Sequence, residues 1–121
     1  MTQTGDFIST TEAGLPDYHV VERYGVVRGI AVRSRSVVGL FGAKIQQFFG
    51  GEISILADLC EQTRSDAFML AIEHARSMGA NALICVRYDA TEIMNGVSEV
   101  LCYGTAARVV KMKERKELVA G

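Results

Sequence analysis

Histidine, proline and cysteine are scarce: two, one and three residues in a chain of 121. His19 and His74 are the only imidazoles, and neither stands beside a serine or cysteine nucleophile. That leaves little for acid–base or nucleophilic catalysis. Cys60 and His74 fall on one helix face, but a separation of about 21 Å along the axis keeps them from acting together within a chain. An enzyme is not expected. Cys60, Cys85 and Cys102 lie 25 and 17 positions apart, which fits neither a disulfide framework nor a CxxC zinc or redox motif. They are expected to be reduced thiols.

An excess of one charge is missing too, with 13 Lys+Arg against 14 Asp+Glu and a net charge of −1. Nucleic acids and anionic membranes attract a basic surplus, so neither is the expected partner. The longest apolar run, residues 37–49, is broken by Lys44, Gln46 and Gln47 and is too short for a membrane span. The opening MTQTGDF has neither the basic nor the apolar region of a secretion signal. A cytoplasmic location is therefore expected.

What is present is a core. Apolar residues make up 49% of the chain, and a chain of this size hides roughly two-thirds of its unfolded surface. One domain over residues 1–121 is expected, with its core at about 19–110, an N-terminal arm at 1–18 and a charged tail at 111–121. The arm is turn-rich, with Gly5, Gly14 and Pro16 around a short extended candidate at 7–10 that can pair only as an edge or borrowed strand. Residues 19–32, HVVERYGVVRGIAV, read as a long strand with glycines that suggest a bulge or a close backbone approach. Residues 37–49 hold a short helical candidate whose Leu40, Phe41, Ile45, Phe48 and Phe49 exceed what such an excursion can bury on itself.

Residues 53–78 predict a long helix, because Leu56, Leu59, Cys60, Thr63, Ala67, Leu70, Ala71, His74 and Met78 recur at three-to-four spacing before Gly79. Two β-rich runs then flank Asn95-Gly96, a strong hairpin signal. A plain two-residue turn would set Tyr88 opposite Tyr103, Val86 opposite Thr105, Asp89 opposite Cys102 and Cys85 opposite Ala106. Ala82, Ile84, Val86, Tyr88 and Ala90 would then lie under the helix beside Leu101, Tyr103, Thr105, Ala107 and Val109. The expected fold is α+β: a two-layer β-α-β-β unit whose three-stranded antiparallel sheet has order 1-3-2 and one long helix on one face. The other face would need cover from further copies, so a closed homo-oligomer is expected.

Candidate chemistry is sparse. GLFGAK within residues 39–44 lacks the ending of a phosphate-binding loop and a strand directly before it, and reads as turns. Arg33 and Arg35 suit an anion or simply a solvated loop. Thiophilic metals need thiolate and imidazole donors that converge, whereas Cys85 and Cys102 would sit roughly 13 Å apart along the ladder. Asp89 opposite Cys102 would make a two-ligand half-site for such a metal, completed by symmetry. Otherwise all three cysteines serve as small buried hydrophobes, and His74 is an ordinary half-buried helix residue.

The run RSMGANALICVRYDATEIMNGVSEVLCYGTAARV, with YGVVRG at 24–29 and FFGGE at 48–52, resembles the YbjQ family of small prokaryotic proteins, described as "putative heavy-metal-binding". The resemblance spans about residues 7–110 and is most specific at Gly79-Ala80-Asn81-Ala82, Tyr88-Asp89 and Tyr103-Gly104-Thr105-Ala106, with Arg64 and Ala67 between. It implies a dodecin-like unit in a pentameric ring, with short extra strands aiding assembly, and residues 7–10 look like one of these. The expected function is a homo-oligomeric binding protein, a pentamer or a multiple of one, taking a thiophilic metal ion between subunits. The alternative is a structural or small-molecule carrier ring without metal.

Overall fold

A computed structural model of the chain describes residues 7–34 and 52–112. In chain order these form β1 (Ile8–Ser9), β2 (Tyr18–Ser34), α1 (Glu52–Ser77), β3 (Ala82–Met94) and β4 (Val97–Lys111). The fold is α+β. Its sheet has four strands in the order β1-β3-β4-β2 and is mixed, where three antiparallel strands were expected. β4 runs antiparallel to both β2 and β3, while Ile8 and Ser9 pair in parallel with Ala82 and Leu83. This fourth strand satisfies an edge that would otherwise lack partners: the Ile8 N–H donates to the Asn81 carbonyl at 3.1 Å and the Thr10 N–H to that of Leu83 at 3.0 Å. The helical candidate at 37–49, the GLFGAK turns, Arg35 and the tail from residue 113 lie outside the described residues.

The 26 residues of α1 bury a stripe of Leu59, Thr63, Ala67, Phe68, Ala71, Ile72 and Ala75. This face is rotated slightly from the expected one, leaving Cys60, Leu70, His74 and Met78 outside it. Small residues at its centre let backbone approach backbone. A Cβ at Gly29 of β2 would collide with the Ala67 carbonyl oxygen and the Ala71 nitrogen, and would stand 2.7 Å from Leu70 Cβ. The helix ends in a Schellman motif, with Gly79 at φ 90°, its N–H on the Arg76 carbonyl and the Ala80 N–H on that of Ala75. Asn81 then ties the turn to β4: its side chain accepts from the Val109 N–H at 2.8 Å and donates to the Val109 carbonyl at 3.0 Å.

The hairpin forms at Asn95-Gly96, with Met94 opposite Val97, but its register departs from the plain-turn expectation. Tyr88 faces Cys102, Arg87 faces Tyr103, Asp89 faces Leu101, Ile84 faces Thr105 and Leu83 faces Ala106. Two bulges in β3 cause this, one between Glu92 and Met94 and one between Ile84 and Arg87. The second contains Cys85 at φ 57°, a left-handed conformation that costs a non-glycine residue about 1–2 kcal/mol. Each extra residue slips the ladder by one position, and a slip of one exchanges faces. Cys102, Gly104 and Ala106 therefore face α1, in register with Gly29, Val27 and Gly25 of β2, and Leu101, Tyr103, Thr105, Ala107 and Val109 do not.

Near the hairpin the opposite face is open. Val26 is 68% exposed, Val32 60%, Ile30 43% and Tyr103 37%. β2 also forms one edge of the sheet, where the Arg28 N–H donates to Nδ1 of His74 at 3.3 Å. That bond places the imidazole's hydrogen on Nε2.

Candidate functional site

Beyond the tightly packed centre, α1 and the sheet enclose a cleft of about 450 Å³. The helix contributes Leu59, Cys60, Thr63 and Arg64; β2 contributes Arg33; β3 contributes Ala90 and Glu92; β4 contributes Ser98 and Val100. Strand alternation explains the membership, since Arg33, Ser98 and Val100 continue the helix-facing rows that begin at Gly29 and Cys102. Arg33 Nε is buried without a hydrogen-bond partner among the described residues. The Arg64 guanidinium lies 5.6 Å from the centroid of the Tyr88 ring, a cation–π separation. Glu92 is turned onto the hairpin, where its Oε2 accepts from the Gly96 N–H at 3.3 Å. Leu59, Ala90 and Val100 supply an apolar wall, and Thr63 Oγ1 is engaged by the Leu59 carbonyl at 2.9 Å.

Nearby, the Tyr88 hydroxyl donates to the Cys102 sulfur. Burial, and then the neighbouring thiol, push the Tyr88 hydroxyl up to about 12. Burial also raises the Cys102 thiol, partly offset by the Tyr88 hydrogen bond. Thiolate is the metal-binding form, so this fully buried sulfur is held in the form that binds metal poorly.

The expected half-site is not brought together. Asp89 is exposed opposite Leu101, while Cys102 is buried opposite Tyr88. Residues adjacent along a strand point to opposite faces, so the bulge places the carboxylate and the thiol on different sides of the sheet. Cys60 is exposed and Cys85 partly buried. Among the described residues no group of three His, Cys, Asp or Glu is placed to hold a metal ion.

Sequence reasoning weighed Arg33 as one of two loop arginines and missed Arg64, Glu92 and Ser98 as neighbours. Arg33 was within reach, because four residues on from Gly29 the two-residue period returns it to the helix-facing side. The partners of Arg33 depend on hairpin register, which the bulges conceal. Among the described residues no helix is long and apolar enough to cross a membrane.

Comparison with known proteins follows the same outline. A UPF0145 protein of Solibacter usitatus is 61% identical over 101 residues, covering 84% of this chain and 90% of its own length. A UPF0145 protein of Burkholderia thailandensis is 58% identical over 102 residues, covering 84% and 92%. A 2.73 Å crystal structure of a DUF74-family protein of unknown function from Pediococcus pentosaceus matches with a TM-score of 0.57 at 18% identity, over 88% of this chain and 100% of that one. This last likeness concerns the fold alone. The model of the family described as "putative heavy-metal-binding" matches residues 7–110, and with relatives this similar across most of its length the chain belongs to the YbjQ family.

Proposed function

We propose that the protein is a cytoplasmic homo-oligomeric binding protein, a pentamer or a multiple of one, and that its heavy-metal cargo is held by groups from more than one copy. The observation that carries this reading is the open sheet face, where Val26, Ile30, Val32 and Tyr103 form an apolar surface that the other described residues leave exposed. Patches of this kind are commonly buried against another subunit, and a cyclic assembly uses the same patch in every copy. The donor inventory supports the same arrangement. A single exposed thiol, Cys60, becomes several when symmetry brings copies together, which suits the soft ligands that thiophilic metals prefer. The thin catalytic inventory favours a binder over an enzyme.

Sedimentation velocity at micromolar concentration tests the assembly, with Val26→Lys/Ile30→Lys as the comparison. The wild type should sediment as an oligomer and the double variant as a smaller species. A wild-type monomer would overturn the reading. Calorimetric titration of the reduced protein with Zn²⁺, Cd²⁺ or Cu⁺ tests the cargo. Uptake should be below one ion per chain and lost in Cys60→Ser, whereas binding no tighter than micromolar removes metal as the purpose.

A further inference from the structure

The cleft between α1 and the hairpin end of the sheet has features that a metal site does not require. Its volume of about 450 Å³ falls within the range of about 300–1,000 Å³ typical of small-molecule sites. Two guanidinium groups border it, Arg33 from β2 and Arg64 from α1. A buried donor without a partner is costly, and among the described residues Arg33 Nε is one. Among the described lining residues two guanidinium groups stand against one carboxylate, Glu92, whose Oε2 accepts from the Gly96 N–H, so positive charge is in surplus. Leu59 and Val100 line its remainder with hydrocarbon.

We propose that this cleft binds a small organic acid, with a carboxylate held by Arg33 and Arg64 and an apolar body laid against Leu59 and Val100. Guanidinium presents its N–H groups in a planar fork that matches a carboxylate, and the ligand would supply an acceptor that the described residues do not give Arg33 Nε. The cleft is walled by a single chain, so the inference does not rest on the assembly or on metal uptake.

The test is calorimetric titration of the full chain with octanoate, octanol and octylamine in buffer containing EDTA. Octanoate should bind at least about tenfold more tightly than either analogue, the factor that one lost charge-assisted contact represents. Arg33→Gln and Arg64→Gln, each checked for folding by circular dichroism, should weaken octanoate by a similar factor. Octanoate should bind with EDTA present, where no metal is taken up, which separates this proposal from the metal reading. Octanol binding as tightly as octanoate, preference for octylamine, or no heat with octanoate would each overturn it. The wild-type comparison decides the question even if an arginine variant fails to fold.

Discussion

Replacing Gly29 with alanine would put a methyl group into a space already occupied by the helix. The new Cβ would meet the Ala67 carbonyl oxygen and the Ala71 nitrogen, with Leu70 Cβ at 2.7 Å. Two of these atoms are backbone, so no rotamer change relieves the contact; α1 must lift from β2 or the strand must bend. Overpacking a well-filled core costs about 1–3 kcal/mol and sometimes more, and rigid atoms on both sides put this case near about 3 kcal/mol. Against a total of about 5–15 kcal/mol, that should lower the melting temperature by about 10–20 °C. The assay is urea and thermal unfolding at one fixed protein concentration, because assembly would make stability concentration-dependent. Gly14→Ala is the control, since nothing lies within 4 Å of its added Cβ, and it should change stability by no more than about 0.5 kcal/mol. Leu70→Ala retains the crowding Cβ and should not rescue Gly29→Ala. A Gly29→Ala protein within about 1 kcal/mol of wild type would refute the account of this helix–sheet contact.

Alkaline unfolding should reveal the Tyr88–Cys102 pair, in which the thiol is buried and the phenol is partly exposed. Both folded values are raised, Tyr88 to about 12 from 10.0 and Cys102 above 9.0, so their contribution is intact below pH 9 and is lost as the pH climbs toward 12. Tyr88→Phe should flatten the part above pH 10, and an unchanged pH profile would contradict the assignment. Relieving the left-handed conformation at Cys85 with glycine should stabilise by up to about 1 kcal/mol after its extra chain entropy. Valine there should destabilise, so urea midpoints should rank glycine above cysteine above valine. Asn81→Ala should cost about 1–3 kcal/mol, because it removes both side-chain bonds to the Val109 backbone. A change below about 0.5 kcal/mol would show that water replaces them without loss.

The long elements were legible because their residues repeat. The three-to-four spacing from Leu59 to Ala75 locates α1, Val and Ile density marks β2, and Asn95-Gly96 locates the hairpin turn. Register was not legible. Nothing in the sequence marks the bulge between Glu92 and Met94, whose extra residue moved Cys102 to the helix side and separated it from Asp89, and nothing about Cys85 marks it for a left-handed bulge, since glycine or asparagine usually fills that role. β1 was readable only as an extended candidate, because two residues carry no periodicity. The cleft depends on four elements meeting at one end of the layer. Its arginines were visible as residues, but their convergence is a tertiary fact.

The Arg28–His74 bond has a consequence for how this chain keeps company. A seventeen-residue margin of sheet offers passing polypeptides a row of amides onto which another strand can zip, the route by which β-proteins clump. An imidazole from the chain's own helix occupies one rung of that row, so an incoming strand must first dislodge it. Any orderly meeting of copies through the broad oily side is thereby favoured over indiscriminate growth along the rim.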